Sequence, residues 1–200
     1  MLIIQFLLLS IFAEIPYWKA KPEVYQKIQE GEIIVSAKLD DSRKEKHLKV
    51  SSAGHLKTPM LFAWQEMRKF ENYPKMSEHF RNVKHQKEKQ HFYIEVGAFS
   101  YYAKLWVDYK GKKISKNKRR LEWQVVKGGF QGLHGYLEIE KKKYALSEIS
   151  LYADMQAEVI PIPNALLKIG LEVVGKLIAM KMRQHLEKTY LNTDFFIEAS

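Results

Sequence analysis

Between about Arg81 and Met155 apolar side chains recur at every second position. Phe92, Ile94 and Val96 alternate with polar or aromatic neighbours, as do Leu105, Val107 and Tyr109, then Leu121, Trp123 and Val125. Leu133, Gly135, Leu137 and Ile139 continue the series, and Ile149, Leu151, Ala153 and Met155 complete it. A period of two sends alternate side chains to opposite faces of a strand, so one face of a curved antiparallel sheet is apolar. The other face carries Lys104, Asp108, Glu122, Gln124, Glu138, Glu140 and Glu148, the composition of a solvated outer face. Gly97, Gly111, Gly128 and Gly129 fall at breaks between runs, where turns or strong bends are expected.

After Pro161-Ile162-Pro163 the period becomes helical and stays so to Tyr190. Leu167, Leu171, Val174, Ile178, Met182 and His185 recur at steps of three and four, which puts them on one face of a single long helix. Lys168, Glu172, Lys176, Arg183 and Glu187 share the opposite face, while Leu166, Ile169, Val173, Leu177 and Met180 widen the apolar stripe. Nearer the amino terminus, Gly31 to Lys38 and His47 to Leu56 read as extended, joined by a charged loop from Asp40 to Lys46. Thr58-Pro59 then opens a short helix, with Thr58 as its cap and Met60, Ala63, Trp64 and Met67 on its apolar face. Asn72-Tyr73-Pro74 interrupts it, and Lys75 to Phe80 makes a second short helix or turn.

The expected architecture is α+β: a curved antiparallel sheet of about six or seven strands, two short helices after the first strand, and a long C-terminal helix packed across the concave face. One domain, residues 31–190, accounts for this pattern, with an extension at 14–30 and a tail at 191–200.

Composition narrows the class. The 200 residues are 46% hydrophobic and 12% aromatic, the balance of a globular protein with a sizeable core. Cysteine is absent, which removes disulfides, thiolate zinc sites and cysteine nucleophiles together. Leu2 to Ala13 is apolar except for Gln5 and Ser10; at roughly twelve residues it falls short of the twenty or so that span a bilayer. It reads as a secretory signal segment with a cleavage point after Ala13, or as an interfacial anchor. A secreted, periplasmic or envelope location is therefore expected, with the cytoplasm as the alternative. The 33 basic and 23 acidic side chains leave a charge of +10, which favours anionic partners. Most of the excess lies at strand ends and turns, at Lys84 to Lys89, Lys110 to Arg120 and Lys141 to Lys143, where lysine commonly keeps sheet edges apart.

The order of elements, with particular residues in it, resembles the START-like superfamily, the helix-grip proteins that include polyketide cyclase/dehydrase and coenzyme Q-binding members. The matching residues are Ser52 to Pro59 with Phe62 to Trp64, then Phe70-Glu71-Asn72-Tyr73-Pro74, then Gly132, Gly135, Tyr136 and Leu137, and Pro161 with Pro163 leading into the final helix. The family often has aspartate where Lys69 or Phe70 stands and tryptophan at Tyr136. The resemblance covers about residues 31–190 and implies a cavity between the concave face and the terminal helix that holds a hydrophobic molecule.

Catalytic constellations are sparse. None of His47, His55, His79, His85, His91, His134 and His185 forms a helical zinc pair, Gly128 to Gly132 lacks the Lys-Ser/Thr of a phosphate loop, and no Gly-x-Ser-x-Gly occurs. His85 shares strand parity with Val83, and His185 lies on the apolar helical stripe. Each fits a hydrogen-bonded core or cavity-mouth histidine better than a general base, which would need a carboxylate such as Glu66 or Glu71. Trp106 and Tyr136 face outward by parity, among lysines, where a membrane interface could meet them.

The expected function is binding, and in one version transport, of a lipid or quinone-like molecule, with no metal, cofactor or catalytic residue. Its cavity is lined by Ile94, Val96, Leu105, Val107, Tyr109, Leu121, Trp123, Val125, Leu137, Leu151, Leu167, Leu171, Val174 and Ile178. Weak contact with an anionic membrane accompanies it, and nucleic acid is not the expected partner. The alternatives are a cyclase- or aromatase-type enzyme using His85 or Tyr93 in the same cavity, and a basic protein docking on RNA, a ribosome or a protein partner.

Overall fold

A computed structural model describes residues 16–41, 45–98, 101–159 and 164–193, without the side chains of Tyr17, Asp41, Ala98, Tyr101 and residues 164–169. Two helices come first, α1 (Tyr17–Ala20) and α2 (Pro22–Gln29), then strands β1 (Ile34–Asp41) and β2 (Lys46–Leu56). Helix α3 (Met60–Met67), a 3-10 turn at Phe70–Asn72 and α4 (Tyr73–Met76) lead into β3 (Phe80–Gln86). Strands β4 (His91–Ala98), β5 (Tyr101–Ser115), β6 (Lys118–Gly128), β7 (His134–Lys143) and β8 (Leu146–Ala157) follow, and α5 (Asn164–Leu191) ends the fold. Pro161-Ile162-Pro163 and Leu2 to Ala13 lie outside the described residues.

The strands form one antiparallel sheet in the order β1-β2-β8-β7-β6-β5-β4-β3. It has eight strands rather than six or seven, because Phe80–Gln86 pairs along the β4 edge despite its polar sequence. The short helices follow the second strand, not the first. Thr58 does not cap α3: Pro59, with φ −61° and ψ 144°, holds that place, and Thr58 is buried with its carbonyl accepting the Ser147 hydroxyl at 3.0 Å. Asn72-Tyr73-Pro74 is no interruption either, since the 3-10 turn passes directly into α4, whose first turn accepts Pro74.

Register matches the period of two. Ile94, Val107, Leu121, Val125, Leu137 and Ile139 share one interior with Leu56, Met60, Met67, Phe70 and Leu186. Gly135 is required where β7 crosses the centre of the sheet, because a Cβ there would lie 1.9 Å from the Tyr152 carbonyl oxygen.

The outer face is not uniformly wet. Trp18 and Ile28 are fully buried against Ala53, so α1 and α2 cover the convex side of β2 and its neighbours. Proline at the first turn of α2 and Val24 four residues before Ile28 are the local signals for this helix. Beneath it Glu148 is 2% exposed and meets Lys142 at 3.0 Å, Lys19 at 3.5 Å and the Tyr25 hydroxyl at 3.2 Å. Glu138, also buried, receives two hydrogen bonds from the Arg120 guanidinium, at 2.7 and 3.0 Å. Both carboxylates belong to the face expected to be solvated, and both survive burial because cations pair with them.

The Phe70 turn is locked to the far edge of the sheet. Its ring stacks on Phe92 with centroids 4.3 Å apart and meets Tyr109 and His85 edge-on at 4.8 and 5.0 Å. His85 lies between the Glu71 carboxylate and the Tyr109 hydroxyl, 2.7 Å from each through Nδ1 and Nε2. The carboxylate accepts the Nδ1 proton, which leaves Nε2 to accept from Tyr109. Burial alone would raise the Glu71 carboxyl, but a backbone amide and His85 outweigh it and lower it. Tyr109 is raised, chiefly by burial, and keeps its proton.

Two outcomes are expected. Tyr109→Phe leaves the buried Nε2 of His85 without a donor, so the urea midpoint should fall by the equivalent of roughly 1–2 kcal/mol, with the fold retained; an unchanged midpoint would show that the latch bears no load. Partial burial would raise the Glu140 carboxyl, yet hydrogen bonds from Lys118 and Lys142 and the charges of Lys142 and Lys19 hold it down at about 2. Its contribution to stability is therefore complete above its ordinary value of 4.5 and is lost as pH falls toward about 2. Urea melts of Glu140→Gln and the parent should differ at neutral pH and converge across that acid window.

Candidate functional site

The apolar interior has a closed part and a half-open part. Around Phe70, the residues Ile94, Val107, Tyr109, Leu121, Val125 and Leu137 are all buried, packed against α3, α4 and Leu186. These six stand where the period of two places them, but they are filled in as solid core. Toward the other end of the sheet a smaller cluster forms from Leu48, Ala103, Phe130 and Met155. Leu39, Val50, Leu105, Leu133 and Leu171 pack on it only partly buried. Val96, Trp123, Leu151, Val174 and Ile178 are half-buried as well. The side chain of Leu167 lies outside the described residues.

This half-open region is set by local features. Strand β8 runs past it to Ala157, opposite Lys46, and the first turns of α5 begin seven residues beyond. Gly128, with φ +115°, closes the β6 strand, and a Cβ there would lie 1.9 Å from the Lys104 carbonyl oxygen. Val126 is an extra residue in β6 between the pairs Trp106–Lys127 and Val107–Val125, a bulge that bends β6, and beyond Gly128 the Phe130 ring clusters with Ala103.

Helix α5 lies closest to β1 and also touches β2, α3 and α4. Its buried edge is rotated from the middle of the sequence stripe. Leu186 and Tyr190 are buried, and Gly175 faces Val35, whose Cγ1 would lie 3.3 Å from an added Cβ. Val173, Leu177 and Met180, by contrast, are 53%, 42% and 36% exposed. The polar residues explain the rotation. Glu172 accepts the Ala37 backbone N–H at 2.9 Å, Glu187 accepts the Lys57 N–H at 2.9 Å, and Arg183 donates to the Gly31 carbonyl at 2.7 Å. Three side chains assigned to the solvent face thus hold the helix to the rest of the fold. β1 is an edge strand, and Glu172 satisfies an amide that no neighbouring strand can reach.

Glu71, His85 and Tyr109 form a hydrogen-bonded chain at the border of the apolar interior. The carboxylate partner that His85 needs is Glu71 rather than Glu66, which bonds Lys69. Tyr109 is committed to His85 and enclosed by Phe70 and Phe92, so the chain acts as a latch on the turn. Tyr93 is not in the interior at all. It lies on the convex face, donating to Glu95 at 2.5 Å and packing on Trp106 at 4.8 Å, and that hydrogen bond pushes its hydroxyl up to about 12. An open recess of about 420 Å³ lies there, lined by Asn82, Lys84, Gln86, His91, Tyr93, Glu95 and Trp106. A second, of about 240 Å³, separates Ile33, Ile34 and Val35 from Glu172, Val173 and Lys176 of α5. Tyr136 faces outward as expected but is covered by Arg120, 4.3 Å from its ring centre, and by Tyr152. Among the described residues no group of three or more histidine, cysteine, aspartate or glutamate side chains is placed to hold a metal ion.

Compared by sequence, the chain matches no family profile and no curated protein. Compared by structure, it is similar to solved proteins at low identity. A STAR-related lipid transfer protein from Xanthomonas axonopodis aligns over 76% of this chain and 98% of its own, at 11% identity and a TM-score of 0.57. Human StAR-related lipid transfer protein 5 aligns over 88% and 94%, at 9% identity and a TM-score of 0.55. A protein from Thermus thermophilus aligns over 73% and 99%, at 11% identity and a TM-score of 0.58. With its curved antiparallel sheet, paired short helices and long C-terminal helix, the chain has a START-like fold.

Proposed function

We propose that the protein binds a lipid or quinone-like molecule between the sheet and the first turns of α5. The observation that carries this reading is the half-open apolar region. Val96, Leu105, Trp123, Leu133 and Leu151 on the strands, with Leu171, Val174 and Ile178 on the helix, stay partly exposed while the adjoining core is closed. Apolar surface left open on both sides of one interior favours an apolar guest. Each methylene buried there contributes about 0.8 kcal/mol, so eight to ten supply micromolar affinity after the costs of association. The lipid transfer proteins that share the fold are consistent with such a guest. Transport would follow from release through the same end, where α5 is held by Glu172 rather than by a deep core.

Native mass spectrometry and solvent extraction of the purified protein should recover an apolar small molecule. Added fatty acyl or quinone compounds should shift the Trp123 component of the fluorescence, identified by its loss in Trp123→Phe. Leu171→Asp places a charge in the half-open region and should weaken binding at least tenfold, while Val107→Ala should lower stability with affinity retained. Absence of any extracted ligand, together with fluorescence indifferent to lipids and quinones, would remove the reading.

A further inference from the structure

The β5–β6 hairpin projects beyond its neighbour β4. The last β5 residue opposite β4 is Asp108, paired with His91, and β5 continues to Ser115, about 20 Å further along the strand. From Lys110 to Arg120 the chain has seven basic side chains and no acidic one. At its tip Ile114 is 46% exposed. The β7–β8 hairpin lies alongside, since Lys118 pairs with Glu140 and β7 turns back after Lys143. That second tip carries Tyr144, 62% exposed, between exposed Lys141, Lys143 and Ala145.

The cations divide into two groups. Lys112, Lys118, Arg120 and Lys142 pair with Glu122, Glu138, Glu140 and Glu148 and hold the hairpins rigid. Lys113, Lys116, Lys141 and Lys143 have no acidic partner among the described residues and ring the two apolar tips. Helix α1 is fixed to the same end, with Lys19 bonded to Glu140 at 3.2 Å, and the apolar run Leu2 to Ala13 precedes it in the chain.

We propose that these paired tips form a docking surface for an anionic phospholipid bilayer. Exposed apolar tips ringed by unpaired lysines suit a headgroup layer, where the side chains enter the acyl boundary and the ammonium groups meet phosphates. A nucleic acid would use the lysines and leave Ile114 idle, and the apolar run that precedes α1 in the sequence favours lipid again. Membrane contact thus falls to the hairpin tips rather than to Trp106 and Tyr136, whose rings are occupied by Tyr93 and Lys127 and by Arg120 and Tyr152. In this pose the first turns of α5 stand at the end away from the bilayer. Among the described residues no helix is long and apolar enough to cross a membrane.

Co-sedimentation of the full chain with phosphatidylcholine vesicles, with or without one quarter phosphatidylglycerol, tests it. Binding should need phosphatidylglycerol and weaken between 0.1 and 0.5 M salt as charges are screened. Each lysine near the surface contributes roughly a fivefold factor, so Lys113→Gln/Lys116→Gln/Lys143→Gln should lower binding about a hundredfold. Ile114→Ser/Tyr144→Ser should lower it about tenfold or more. Thermal melting should be unchanged in both, because all five side chains are exposed, and the control Lys84→Gln/Lys104→Gln/Lys176→Gln should bind like the parent. Parent-like binding by the tip variants, equal loss in the control, or preference of the parent for single-stranded RNA over these vesicles would each overturn the proposal.

Discussion

An open antiparallel sheet of eight strands must cover an apolar face and protect two edges, and nearly every other element serves one of those needs. α3, α4 and the Phe70 turn close one part of the concave face with rings and methionines. α1 and α2 take the convex face behind β2, where Trp18 and Ile28 would otherwise have no partner. On the β1 edge the outward amide of Ala37 is capped by Glu172 of α5. The β3 edge is broken instead by an irregular register between Arg81 and Lys84, with Asn82 at φ +48° and its amide bonded to Glu95. Burying a large aliphatic or aromatic side chain contributes about 1.5–3 kcal/mol, so the 17 buried residues of the core around Phe70 dominate, and the ion pairs decide geometry more than stability.

The register of the strands from β4 to β8 was legible because a period of two has only two settings, and one of them buries charge. Leu121, Trp123 and Val125 could face inward only if Glu122 and Gln124 faced out. The roll of α5 was not legible in the same way. Its stripe spans so many apolar positions that hydropathy leaves the centre undetermined, and three backbone groups distant in sequence, at Gly31, Ala37 and Lys57, selected it. Glu71 as the partner of His85 was equally hidden, since the contact depends on how β3 pairs with β4. β3 itself was obscured by Arg81, Asn82 and Lys84, the polar residues that an edge strand tolerates.

Of the interior positions that periodicity picks out, tertiary closure separates those that fill the core from those left half-open. Parity says which way Val107 and Leu105 point, but not that Val107 lies under the Phe70 assembly while Leu105 lies beyond it. That distinction comes from where α3 and α4 end, and these are short helices with weak local signals. The outer carboxylates teach the converse. Glu138 and Glu148 carry the pattern of a wet face and are buried all the same, because Arg120, Lys118, Lys142 and Lys19 converge on them.

The bond from Ala37 to Glu172 ties two events into one. A strand amide that would ordinarily be quenched by another strand is quenched by a side chain of the helix over the half-open region. Lifting that helix therefore uncovers a template for strand addition, and a molecule caught open becomes competent to pair edge to edge with another copy of itself. Filling the apolar space with a guest would hold the helix down and keep that edge capped, so occupancy would protect the chain from self-association as well as load it.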